Sequence, residues 1–151
     1  MSEFVVIAGL SGAGRSQAAN DFEDLGWFVI DNLPPALMPK VTELADAKGS
    51  TIERVVLVAG TGHYDGELVD ALAELRKETP RVRILFLDCA TPELVRRYEQ
   101  TRRRHPIAGS TVEEAIETER KILEPVRAEA DVVIDTTELN VHQLRDRVRA
   151  A

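Results

Sequence analysis

Eight residues near the start of the chain carry its most specific chemistry. Gly9-Leu10-Ser11-Gly12-Ala13-Gly14-Arg15-Ser16 sets glycines at the first, fourth and sixth places, then a cation, then a hydroxyl. Glycines let a backbone turn tightly enough for successive N–H groups to converge on phosphate oxygens. A helix starting at that point adds the positive end of its dipole. The spacing is that of a phosphate loop (Walker A) at every position but one, because Arg15 stands where lysine is expected. Arginine keeps the charge but presents a broad planar fork in place of a compact ammonium. All eight residues are therefore candidates for holding phosphate. Arg15 is also a candidate catalytic cation, and Ser16 a candidate ligand for Mg²⁺. The competing reading is a glycine-rich turn with no ligand, and a strand before and a helix after would argue against it.

Further acids follow short apolar runs. Asp31 comes after Trp27–Ile30, where a carboxylate could orient Mg²⁺-bound water or an acceptor hydroxyl, or simply close a turn within Asp31-Asn32-Leu33-Pro34-Pro35. Asp88 and Asp135 are candidate acids reaching a metal through water; the alternative for Asp88 is capping or structural hydrogen bonding, and for Asp135 a plain turn. Arg96, Arg97, Arg102, Arg103 and Arg104 place five guanidinium groups within nine residues, ahead of the breaker-rich His105-Pro106-Ile107-Ala108-Gly109-Ser110. One reading is a lid that brings Arg102 and Arg103 to a transferring phosphoryl group. A second is a solvated helix face paired with Glu99, Glu113 and Glu117. A third, contact with RNA, lacks stacking aromatics, since only Tyr98 lies nearby. His63, His105 and His142 show no metal-ligand spacing. Cys89, the single cysteine, reads as a small core residue, and it makes an internal disulfide impossible.

These residues need a frame, and the apolar pattern supplies one. Runs rich in β-branched residues at Phe4–Ala8, Trp27–Ile30, Val55–Ala59, Val82–Leu87 and Val132–Ile134 read as strands covered on both faces, with Trp27 and Phe28 in the sheet core. Stretches with helical spacing lie between them, at about Gly14–Leu25, Leu37–Ala47, Tyr64–Lys77, Thr91–Arg103, Val112–Ala128 and Asn140–Val148. Thr91-Pro92 reads as an N-cap and first helical residue, Thr111 to Glu114 as a capping box, and Asn140 to Gln143 as a looser one. Alternating strands and helices predict a three-layer α/β domain with a mostly parallel five-stranded sheet, whose ligands bind beyond the carboxyl ends of the strands.

The chain has 151 residues, with 19 Lys+Arg against 26 Asp+Glu, for a formal charge of −7. That length suits one domain, and the acidic balance argues against a surface that coats nucleic acid as a whole. No apolar run approaches the ~20 residues of a membrane span, and Met1-Ser2-Glu3 lacks a basic leader, so a cytoplasmic protein with no membrane partner is expected.

With these residues in view, the chain resembles the amino-terminal half of the RapZ/YvcJ nucleotide-binding proteins. The likeness rests on Gly9–Ser16 followed by Phe22-Glu23-Asp24-Leu25-Gly26-Trp27-Phe28-Val29-Ile30-Asp31-Asn32-Leu33-Pro34-Pro35. Leu85–Asp88, Arg97-Tyr98, Thr101-Arg102-Arg103-Arg104-His105-Pro106, Leu123-Glu124-Pro125 and Asp131–Thr136 extend it over essentially the whole chain. The resemblance implies a kinase-like P-loop NTPase fold over residues 1–151 that binds ATP or GTP with Mg²⁺ and hydrolyses it slowly. It also implies a longer architecture, whose carboxyl-terminal domain binds an amino-sugar ligand and, in some members, small RNA and an RNase. Direct RNA binding is not expected of the present half, while a homo-oligomer is compatible with it. One departure stands out: where the family has an Asp-x-Arg element after the third strand, this chain runs Ala59-Gly60-Thr61-Gly62-His63.

Three functions fit these readings. The first is a slow Mg²⁺-dependent nucleoside-triphosphate hydrolase with a regulatory role. The second is a non-catalytic nucleotide sensor, which the Arg15 substitution and the lost Asp-x-Arg element favour. The third is a small-molecule or nucleotide kinase, which needs an acceptor pocket near Asp31.

Overall fold

A computed structural model describes residues 3–46, 53–59, 65–78, 82–101 and 111–150. The elements run β1 (Glu3–Gly9), α1 (Arg15–Asp24), β2 (Phe28–Leu33), a 3-10 turn (Pro35–Leu37), α2 (Met38–Asp46), β3 (Arg54–Ala59) and α3 (Asp65–Glu78). They continue with β4 (Arg83–Asp88), α4 (Thr91–Thr101), α5 (Val112–Glu129), β5 (Val132–Asp135) and α6 (Val141–Ala150). The five strands form one sheet in the order β2-β3-β1-β4-β5, and every pairing is parallel.

The expected three-layer architecture follows from this pattern. β1 and β3 are buried along nearly their whole length, so their uninterrupted apolar sequences are satisfied only by cover on both faces. α1 and α6 pack together, while α2, α3, α5 and α4 form a second contiguous group. Phe4, Ile7, Leu57, Phe86 and Leu87 are almost completely enclosed between the layers. Burying each such side chain contributes about 1.5–3 kcal/mol before entropy is charged against it. That core makes the central strand rigid, and β1 delivers the phosphate loop.

Three local expectations change. Phe28 is 51% exposed because β2 is an edge strand, so only one of its backbone edges and part of its surface are covered. β2 also runs past Ile30: pairing with β3 breaks register between Ile30 and Leu33 and resumes at Leu33 opposite Ala59, which places Asp31 inside the strand at an irregularity. Thr91 is the first residue of α4 and not its cap. Its hydroxyl donates to Glu117 and accepts from Arg120, while the Leu94 N–H is taken by the Ala90 carbonyl. The other two helix starts behave as their spacing predicts. Thr111 accepts from the Glu114 N–H, and Asn140 and Gln143 cap each other's backbone N–H reciprocally. Among the described residues, no helix is long and apolar enough to cross a membrane.

Candidate phosphate-binding site

The loop between β1 and α1 lies at the carboxyl edge of the central strand. Gly9 takes a φ of +151°, and a Cβ there would stand 2.4 Å from the Leu87 carbonyl oxygen, so β4 passes too close for any side chain. Gly14 is the N-cap of α1 in the left-handed conformation, at φ 109° and ψ 19°, and it brings no side chain to the helix start. The first turn of α1, which begins at Arg15 and Ser16, therefore presents its N–H groups without a side-chain cap. Ser16 is exposed there.

Each residue between Leu10 and Ala13 is held from a different direction. Leu10 N–H donates to the Leu87 carbonyl at 3.2 Å. Ser11 is held by α5: its N–H and its hydroxyl each donate to one oxygen of the Glu119 carboxylate at 2.7 Å. The Gly12 carbonyl accepts from Arg97 of α4 at 3.0 Å, and the Ala13 carbonyl accepts from the Thr136 hydroxyl beyond β5 at 2.7 Å. Arg97 also donates to the Thr136 carbonyl at 2.7 Å, which joins the last two tethers. The Gly12 and Ala13 carbonyls are thereby committed to donors from α4 and from the segment after β5.

The remaining candidates divide. Arg15 Nη1 donates to the Ala59 carbonyl at the end of β3, at 3.1 Å, so its guanidinium extends along the sheet edge toward β2 and β3. Asp31 is exposed on that side of the sheet. Arg102 and Arg103 lie outside the described residues, as does the Gly60–His63 stretch. Within α4, Arg96 forms an exposed bidentate pair with Glu93 and holds that carboxyl down to about 2. Only Arg97 of the described arginines in this run turns into the loop.

Asp88 realises its structural alternative. Its carboxylate accepts from Arg120 at 2.9 Å, from Arg127 at 3.1 Å and from the Cys89 N–H at 2.8 Å. Asp135 accepts from both the hydroxyl and the N–H of Thr137, a turn that lowers its pKa through the hydroxyl first and the backbone second. Cys89 is buried, and burial pushes its thiol up, away from thiolate chemistry. Among the described residues, no group of three or more His, Cys, Asp or Glu could hold a metal ion.

Glu119 and the tethering role of Arg97 and Thr136 are not singled out by motif reasoning. A signal for Glu119 does exist. It lies on the same helix face as Ala115, Ile116, Leu123 and Val126, a lone carboxylate on an otherwise apolar stripe.

A parallel sheet ordered β2-β3-β1-β4-β5, with a phosphate loop after its central strand, defines a P-loop domain of the kinase-like type. Solved structures agree on the fold. A gluconokinase from Sinorhizobium meliloti superposes with TM-score 0.65 at 19% identity, covering 98% of this chain and 90% of its own. A shikimate kinase from Acinetobacter baumannii, in complex with shikimate, gives 0.61 at 17%, covering 99% and 90%.

The RapZ-like N-terminal domain model matches residues 2–151, and the chain belongs to that family. A nucleotide-binding protein of Streptomyces avermitilis is 45% identical over 152 residues, covering 98% of this chain and 50% of its own length. One of Mycolicibacterium vanbaalenii is 47% identical over 152 residues, covering 99% and 48%. The chain thus spans about half the length of the curated relatives it matches.

Proposed function

We propose that this domain binds a nucleoside triphosphate, ATP or GTP, with Mg²⁺ and hydrolyses it slowly. One observation carries the reading: a glycine-rich loop whose Gly12 and Ala13 carbonyls are taken by Arg97 and Thr136, followed by a helix that opens without a side-chain cap on its N–H groups. The curated relatives, named as nucleotide-binding proteins, support the same ligand class. Gly12, Ala13 and Gly14 then line the phosphate chain. The Ala13 N–H is taken by the Leu10 carbonyl, so the N–H groups opening α1, which lack a side-chain cap, and the dipole of that helix supply the attraction.

Mg²⁺ commonly binds through one or two protein oxygens together with phosphate oxygens and water, and an exposed Ser16 hydroxyl fits that role. When bound, the ion neutralises charge that develops on the phosphates. Arg15 balances the phosphate charge from the β3 side, Asp31 orients the attacking water, and Arg102 and Arg103 are assigned to the transferring phosphoryl group. Calorimetry with Mg-ATP and Mg-GTP tests the binding. Arg15→Ala and Ser16→Ala should each weaken it about tenfold, equivalent to losing one charge-assisted contact. Unchanged affinity in both variants refutes the assignment.

A second reading has its own observation. Arg15 stands in the lysine position and spends a guanidinium N–H on the Ala59 carbonyl. A domain arranged in this way senses the nucleotide without turning it over and passes its occupancy to a partner or to a further domain. Turnover equal in wild type and Arg15→Ala, alongside tight binding in wild type, selects this reading. ADP release accelerated by an added hydroxyl acceptor would instead select a kinase.

A further inference from the structure

Glu119 is completely buried on α5, and each of its carboxylate oxygens accepts a hydrogen bond from Ser11. Burying a carboxylate among Ala115, Ile116, Leu123 and Val126 is costly, and packing alone would favour an apolar side chain in that place. What the carboxylate does there follows from the peptide it grips. The Leu10–Ser11 peptide is planar, so its N–H and C=O point in opposite directions. Glu119 takes the N–H, while the Leu10 carbonyl accepts the Ala13 N–H at 3.0 Å. The plane is therefore pinned on both sides, and its orientation sets the direction in which the chain enters the Gly12–Ser16 turn. The Ser11 hydroxyl, bonded to the second oxygen, stops the carboxylate from rotating about its last torsion.

We propose that Glu119 is the positioning residue of the phosphate loop: through Ser11 it fixes the loop in its anion-binding shape and makes phosphate affinity depend on the placement of α5. The reach of α5 is broad, since the adjacent Arg120 ties the same helix to Asp88 at the end of β4. A displacement of α5 thus acts on β4 and the loop together. The proposal rests on the phosphate-binding reading for its ligand, though not for its geometry.

Glutamine supplies the discriminating variant. Its carbonyl oxygen can accept the Ser11 N–H while its amide donates to the Ser11 hydroxyl oxygen, which preserves both contacts without charge. Two measurements are made on wild type, Glu119→Gln, Glu119→Ala, Ser11→Ala and the Ser11→Ala/Glu119→Ala double variant. One is amide exchange at Gly12–Ser16 in the free protein, and the other is calorimetric affinity for Mg-ATP.

Glu119→Ala should speed exchange in the loop relative to the core strands and weaken Mg-ATP binding about tenfold, with Glu119→Gln returning to within about threefold of wild type. The double variant should be no worse than Glu119→Ala alone, because both changes break one link. Loop exchange and affinity that stay at wild-type values in Glu119→Ala, or additive losses in the double variant, overturn the proposal. If Glu119→Ala does not fold, Glu119→Gln and Ser11→Ala decide it: loss in the first with none in the second refutes the link. If wild type binds no nucleotide while loop exchange still responds to Glu119, the positioning role stands and the nucleotide reading fails.

Discussion

The Thr136 hydroxyl donates to the Ala13 carbonyl at 2.7 Å, joining the exit of the last strand to the loop after the first. The same hydroxyl accepts from Arg97, and the Thr136 N–H donates to the Asp88 carbonyl at 2.8 Å. Thr136 is 2% exposed, so an unsatisfied group left there has no water to turn to. Thr136→Val keeps the volume and removes the hydroxyl. It should cost about 1–3 kcal/mol of stability by orphaning the Ala13 carbonyl, while Thr136→Ser should cost less. Chemical denaturation of the three proteins checks the ranking.

Arg97 links two carbonyls, those of Gly12 and Thr136, through separate nitrogens of one guanidinium. A lysine has one ammonium and cannot reproduce that fork. Arg97→Lys should therefore weaken Mg-ATP binding several-fold, toward the level of Arg97→Ala, with each variant losing no more than about 2 kcal/mol of stability. Equal affinity in wild type and Arg97→Lys, measured by calorimetry, would show that charge alone suffices.

Among the described positive-φ glycines, Gly9 is the least able to change. An added methyl meets the Leu87 carbonyl at 2.4 Å on a backbone at φ +151°. Gly9→Ala should destabilise the domain by about 2 kcal/mol or more, through both strain and displacement of β4. Gly26, whose φ is +92°, has nothing within 4 Å of its would-be Cβ. Gly26→Ala should lose only the backbone preference, about 1 kcal/mol, and thermal melts of the pair separate crowding from φ strain.

Asp21 gives the domain a pH signature. It is 2% exposed on α1, and its Oδ2 has no hydrogen-bond partner among the described residues. Burial raises its pKa, against the lowering effect of the Gln17 hydrogen bond and of the Arg145 and Arg149 charges from α6; Asp24 adds to the rise. The folded state then binds this proton more tightly than the unfolded chain does. Stability should fall as pH rises from the unfolded value of 3.8 through the raised folded value. Asp21→Asn removes the titration, so subtracting its stability profile from that of wild type should reveal a decline confined to that window. A flat difference profile would refute the assignment.

Much of the fold was legible because both periods in the sequence are strong. β1, β3 and β4 are continuous apolar runs, and continuity is what a strand covered on both faces requires. The glycine-rich loop between β1 and α1 is legible for the same local reason, since glycine spacing and backbone conformation lie within a few residues of each other. Phe28 reads as core in the sequence but lies exposed on an edge strand, because an apolar residue in a strand pattern looks the same on an edge as in the centre and strand order is a long-range property. Thr91 does not cap α4 as its spacing suggests, because its hydroxyl bonds to Glu117 on α5, which local capping rules do not see.

The amino-acid sequence by itself determined the alternation of strands and helices and the glycine-rich loop between β1 and α1. Those depend on side-chain type and on contacts spanning only a few residues. Tertiary structure alone decided what holds the loop in place. Ser11 meets Glu119 across 108 positions, Gly12 meets Arg97 across 85, and Ala13 meets Thr136 across 123. No period or motif encodes such pairs. They arise because a parallel sheet gathers the carboxyl ends of distant strands along one edge, where the loop's buried polar groups must find partners once water is excluded.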